Sequence, residues 1–261
     1  MSEYPDRQTS KAAGWSRRTG AFSLVLLLTA WVGHHFNLVE TPAFLWVLAL
    51  VALLAAFALL FAGFAFSRLW TFGDRGGHDL MVGAFLALVV LAPFAVAAYW
   101  ATIYPPLKDI STDLEDPPSL TFAKDNANDT RTPTTPGEQR LQAQAYPLVT
   151  GRRYELPFKE TVDSVEAVFA RQGWQVEGSL PSSDTNASDA VVNAVAKSFV
   201  LELPADVAIR VTSEGETSYV DMRSASRYGR HDLGDNAARI VKFLSELDQE
   251  VVGQIGTTST E

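Results

Sequence analysis

The sequence predicts a chain in two halves: an N-terminal three-helix transmembrane segment followed by a soluble α+β domain, an antiparallel sheet with two helices on one face. Three observations carry this. Apolar runs fill residues 21–39, 43–66 and 80–103, and none contains Asp, Glu, Lys or Arg. Charge then changes abruptly: residues 1–104 carry a net +1 and the remaining 157 a net −10, together the −9 of the 261-residue chain. Beyond residue 150 the apolar periodicity reads helix, several antiparallel strands, helix, an order that packs both helices on one face of a meander.

Residues 1–20 are polar, and Lys11, Arg17 and Arg18 precede the first apolar run, as in a short cytoplasmic tail. That run holds 16 residues to Phe36, or 19 if it reaches Val39, against the roughly 20 a span requires. A cleaved signal peptide is the competing reading, but no small-x-small cleavage site follows and a second long apolar run does. The second run, Ala43 to Phe66, is apolar all round, which suits lipid or a deep core. Pro42 stands just ahead of it, where a missing N–H costs little. In the third run, Leu80 to Ile103, Pro93 should kink the helix or be accommodated by a neighbour.

The connection 37–41 has no basic residue, whereas 67–78 contains Arg68 and Arg75. Basic residues favour the cytoplasmic side, so the N-terminus faces the cytoplasm and residues 105–252 form a periplasmic or extracytoplasmic domain on the inner (plasma) membrane. Trp15, Trp31, Trp46, Trp70 and Trp100 fall near the span ends, where amphipathic rings settle. His34 and His35 read as interfacial polar residues at a span end. His78 lies on the opposite side, so the three share no metal.

In the soluble half, two Pro-Pro pairs bracket an acidic segment, Pro105 to Pro118, and should hold it extended. Its carboxylates Asp109, Asp113 and Asp116 lack calcium-loop spacing. Residues 125–140 read as a mobile loop. A helix follows from Glu160 to Gln172, with Val162, Val165, Val168 and Phe169 on one face and Gly173 as its stop. Trp174 to Val176 begins a strand, and Ala190 to Leu203 is one long strand or two pieces broken near Lys197-Ser198. A hairpin then runs Val207–Val211 and Thr217–Ala225 around a four-residue turn, Ser213 to Glu216. If Thr212 pairs with Thr217, Ile209 lies opposite Val220, Val207 opposite Met222, and Arg210 opposite Tyr219. A last amphipathic helix carries Ala237, Ile240, Val241, Leu244 and Leu247, and 253–261 form a disordered tail.

The acidity of the soluble half excludes a nucleic-acid partner, since phosphate backbones would be repelled. The chain has no cysteine, hence no disulfide, thiol nucleophile or thiolate ligand. No motif implies a cofactor or metal. The segment most like a site precedes the last helix: Arg223, Ser224, Ser226, Arg227, Arg230 and Asp232 could hold an anion at a helix N-terminus. Asp109, Asp113 and Asp116 could face it as a second motif. Against this, Asp232 or Asp235 could simply cap the helix while the arginines pair with local carboxylates. Ser226, His231 and Asp232 supply the residue types of a catalytic triad but crowd one loop, and no Gly-x-Ser-x-Gly elbow occurs. No catalytic residue is assigned.

Two stretches resemble a known family. Asp109-Ile110-Ser111-Thr112-Asp113 with Asp116-Pro117-Pro118 is similar to the opening of the bacterial family called domain of unknown function 1499, and Asp221 through Ile240, which includes Arg227-Tyr228-Gly229-Arg230-His231-Asp232-Leu233-Gly234-Asp235-Asn236, to its closing motif. The resemblance covers about residues 104–250 and implies a non-cytoplasmic, often membrane-tethered module. It transfers no activity and no catalytic residue, and His231 stands where a small polar residue is expected.

The expectation is an integral membrane protein whose outward module binds an anionic small molecule, a lipid headgroup or an envelope protein. One alternative is an envelope hydrolase using Ser226, His231 or the Asp109–Asp116 carboxylates. A second is a structural or assembly subunit whose spans are the functional part.

Overall fold

A computed structural model of the chain describes residues 9–120, 134–176, 188–199 and 201–258. Of the loop expected over 125–140, residues 125–133 lie outside the described residues. The chain divides into two compact units, residues 1–99 and 100–261.

The first unit is built from helices α1 (Lys11–His35), α2 (Thr41–Phe72) and the greater part of α3 (Gly77–Ile103). Among the described residues, only α2 and α3 are long and apolar enough to cross a membrane. This corrects the expectation of three such spans. Helix α1 exists, but it starts ten residues ahead of the expected run, and Lys11, Arg17 and Arg18 lie within it. Its apolar stretch is too short and too interrupted by Ser23, Thr29, Gly33 and the histidines.

Helix α2 buries Val51, Ala55, Ala58, Ala62 and Ala65, a stripe at alternating steps of four and three that lets backbones approach. Ser16 of α1 donates its hydroxyl to the Ala58 carbonyl at 2.9 Å, deep between the helices. Gly83 of α3 meets α1 so closely that a Cβ there would lie 2.6 Å from the Arg17 amide nitrogen. The outer surface of the bundle carries Phe22, Leu28, Trp46, Leu60, Trp70 and Phe85, all exposed. His34 is buried and stacks on Phe44 at 4.3 Å.

In the second unit an antiparallel sheet has the order β1-β6-β5-β4-β3, and β2 also pairs with β6. The strands are β1 (Asp109–Ser111), β2 (Arg152–Tyr154), β3 (Gln175–Val176), β4 (Asp189–Lys197), β5 (Pro204–Glu214) and β6 (Thr217–Ser226). Strands β2 and β1 lie end to end along the same edge of β6. Helices α5 (Phe158–Gln172) and α6 (Asp235–Thr258) bury Val165, Val168, Phe169, Ile240, Phe243, Leu244 and Leu247 against Val192, Val207, Ile209, Val220 and Met222. The expected α+β layout therefore stands, with its core on one face of the sheet.

Two expectations at element ends are corrected. The loop expected over 125–140 is helical from Pro136: α4 (Pro136–Ala145) is short and polar, so apolar periodicity could not reveal it. A capping box between Thr135 and Glu138 and a proline in its first turn start it. The tail expected from Gly253 continues α6 to Thr258, because each added helical residue gains a backbone bond once a helix exists.

The β5–β6 register also differs. Glu214 pairs with Thr217, leaving Gly215-Glu216 as a two-residue loop in place of a four-residue turn. Gly215 has φ +83°, the conformation the first position of such a loop requires. A shift of two residues leaves every side chain on its expected face but changes its partner. Ile209 lies opposite Met222, and Arg210 opposite Asp221.

Candidate functional site

With α5 and α6 on one face, strand alternation sends Asp206, Ala208, Arg210 and Thr212 of β5 to the other face, with Tyr219, Asp221, Arg223 and Ala225 of β6. This helix-free face carries an ion-pair network. Arg223 grips Asp109 with both prongs of its guanidinium, Nε at 2.9 Å and Nη2 at 2.6 Å. Arg210 donates from Nη2 to Asp221 at 3.0 Å and Asp113 at 2.9 Å, and from Nη1 to Asp116 at 2.7 Å. Arg227 donates to Asp206 from Nε at 2.9 Å and Nη2 at 2.6 Å. The Arg223–Asp109 pair, forked onto both carboxylate oxygens, combines charge with fixed geometry.

The network fastens the acidic Pro-Pro segment across the sheet as a strap. Thr112 donates its hydroxyl to Asp221 at 2.7 Å and accepts from the Met222 amide at 2.9 Å. The strap then passes over Arg210, its Pro118 carbonyl accepts from Arg223 Nη1 at 3.2 Å, and Leu120 packs on Ala208 and Ala225. Helix α4 holds its outer side, with Gln139 donating to the Leu114 carbonyl at 2.7 Å. Gln142, buried, donates to the Ser111 carbonyl at 2.6 Å and accepts from the Ser111 amide at 3.2 Å. Its side-chain amide thus completes the free edge of β1.

Arginine does here what a bound cation would do, since Arg210 sits among three carboxylates. Burial alone would raise the pKa of Asp113, but bonds from the Asp116 and Glu115 amides and from Arg210 outweigh it and hold the carboxyl below its ordinary value. The bond to Asp109 raises the Arg223 pKa further, against burial. Three arginines face five carboxylates, so the face stays acidic, and Glu115 and Asp116 on the strap are exposed. Among the described residues, no group of three or more His, Asp or Glu could hold a metal.

The rest of the expected arginine loop surrounds the start of α6. Ser224 lies on the core side of β6; its hydroxyl donates to Asn236 at 2.8 Å and accepts from Arg239 at 2.9 Å. Asn236 Nδ2 donates to the Ser226 hydroxyl at 3.0 Å and the Lys108 carbonyl at 2.9 Å. Asp232 accepts from the amides of Gly234 at 2.9 Å and Asn236 at 3.0 Å, capping the helix. Burial raises its pKa, and those two bonds oppose the rise. His231 Nδ1 accepts from the Leu233 amide at 3.0 Å, and Nε2 lies 3.0 Å from the Tyr104 carbonyl. Ser226, His231 and Asp232 are therefore each bonded to other groups and form no relay. Gly234 has φ +83°, and a Cβ there would lie 2.7 Å from the Tyr104 ring, so only glycine fits.

The structure brings Asp109 to Arg223 directly, joining the two expected motifs, and leaves Arg230 exposed without a partner among the described residues. Sequence reasoning missed Arg210, Asp221 and Asp206 as members of the network, and Gln142 as the cover of β1. The signal for the first two was Gly215 in a two-residue loop, which sets the register and hence the partner of Arg210.

Comparison with the curated proteins finds no match, and comparison with the solved structures finds none. The family described as "Protein of unknown function (DUF1499)" matches residues 109–247, from the first residue of β1 into α6. That span is more than half of the chain and contains the whole network, and on it the chain belongs to the DUF1499 family.

Proposed function

We propose that this chain is an integral membrane protein that holds its DUF1499 domain on the outer side of the membrane as a binding module. The observation that carries the reading is the junction. Helix α3 ends at Ile103, and the next residue, Tyr104, already packs against Gly234 and meets His231 in the domain. The most apolar stretches of α2 and α3 are 28 % and 22 % buried, far below what a core helix of a soluble protein would be, so their apolar surface calls for lipid.

The charge bias of the bundle supports this orientation. Ser10 donates to the Arg75 carbonyl at 2.8 Å, and Arg17 pairs with Asp79 at 2.9 Å. Lys11, Arg17, Arg18, Arg68 and Arg75 thus gather at one end, which the charge bias assigns to the cytoplasm. Helix α3 leaves from there, so the domain lies outside.

The surface offered is acidic, and the arginines Arg210, Arg223 and Arg227 are occupied by carboxylates. An envelope protein presenting basic residues therefore suits the strap better than a small anion. Right-side-out membrane vesicles containing the full chain should capture an added oligolysine peptide, and the double substitution Glu115→Lys with Asp116→Lys should lower capture several-fold. Capture no greater than by vesicles lacking the chain, or untouched by the substitution, rejects the reading.

A further inference from the structure

The last turn of α3, from Trp100, belongs to the same compact unit as the domain. If α3 spans the membrane, this turn marks the end of the domain at which the chain leaves the bilayer. Tyr104 is one residue past the helix, and its carbonyl lies 3.0 Å from His231, the neighbour of Arg230. The β4–β5 connection, 198–203, is at the same end. Arg239 donates to the Lys197 carbonyl at 3.4 Å, and the Arg227 amide donates to the Pro204 carbonyl at 3.1 Å.

The two ends of that connection are bonded to each other. The Ser198 amide donates to the Leu203 carbonyl at 2.9 Å, the Leu203 amide to the Ser198 hydroxyl at 3.0 Å, and Lys197 pairs with Glu202 at 3.1 Å. Phe199, beside the first of these ends, has 91 % of its surface exposed, more than any other large apolar residue described. A single exposed apolar residue needs no explanation. A phenyl ring next to contacts that join the two ends of this connection, at the end of the domain where α3 enters, does.

We propose that Phe199, at the β4–β5 connection, is a membrane-docking residue. Phe199 enters the interfacial layer of the bilayer that α3 crosses, and Arg230, at the same end, exposed and without a partner among the described residues, meets lipid phosphate. The proposal rests on the reading that α3 spans the membrane. Docking would fix the tilt of the domain and decide which way its strap face points.

The chain has no cysteine, so one introduced thiol can be labelled uniquely. The full chain, reconstituted in vesicles, would carry an environment-sensitive fluorophore on Leu201→Cys, Leu88→Cys or Glu216→Cys, with nitroxide-labelled lipid as quencher. Leu88 is an exposed residue of α3, and Glu216 is the β5–β6 loop at the other end of the sheet. The Leu201 and Leu88 probes should be quenched several-fold more than the Glu216 probe, and Phe199→Glu should bring the Leu201 probe down to the Glu216 level. Quenching at Leu88 with none at Leu201 rejects docking and leaves the membrane reading standing; none at Leu88 rejects both. Anionic lipid should deepen quenching at Leu201, and Arg230→Gln should abolish that increment. An increment that survives removes Arg230 from the proposal.

Discussion

Arg210 is the residue on which the helix-free face converges. Asp221, on the neighbouring strand, is 3 % exposed and depends on Arg210 for its only cationic partner among the described contacts. Removing one member of a buried ion pair leaves the other charged and desolvated, at about 3 kcal/mol. Arg210→Ala should therefore destabilise the domain by roughly that amount in denaturant unfolding of the solubilised chain, read by amide exchange in β5 and β6. In an Asp221→Asn background the same substitution should cost much less, and equal costs would show that the pair is not coupled. The penalty should also shrink on acidification. The lowered folded-state pKa of Asp113 makes its contribution present above the unfolded value and lost as pH falls through the folded value.

At the scale of elements, β1 is three residues long, and α4, itself polar, stabilises it through one side chain. Gln142 mimics a neighbouring strand by satisfying both the amide and the carbonyl of Ser111. Gln142→Ala would leave two backbone groups at the buried Ser111 unpaired, at about 2 kcal/mol. Faster amide exchange at Ser111, with β4 and β5 unchanged, is the expected result. Exchange that rises equally throughout the sheet would mean that β1 does not open separately. Apolar periodicity made α5, α6 and the facing strands legible, because each buries one regular stripe. It could not reveal α4, whose role is polar, nor distinguish hairpin registers two residues apart, because both leave Val207, Ile209 and Val211 on the core face. The arginine loop was legible as a cluster, but its partners lie 21 residues away for Arg227 and 114 for Arg223. No local pattern carries that information.

For the whole molecule, the proposed membrane reading makes the turn between α2 and α3 set the side on which the domain lies. Helix α1 is not apolar enough to count as a span, and its basic N-terminal end sits by Arg75. Deleting residues 1–36 should therefore leave the domain on the outer side, measured by external protease digestion of a C-terminal epitope in sealed vesicles. Full protection of that epitope in the deleted chain, with cleavage in the intact one, would make α1 the determinant of topology.

By itself the sequence determined the division into an apolar half and an acidic half, the α+β order and the family, because composition, period and a contiguous motif are local properties. Only the tertiary structure decided what the charged residues of that motif do. Ion pairs form between strands whose register a period of two leaves open, so the carboxylates that neutralise Arg210, Arg223 and Arg227 become identifiable only once the sheet is assembled.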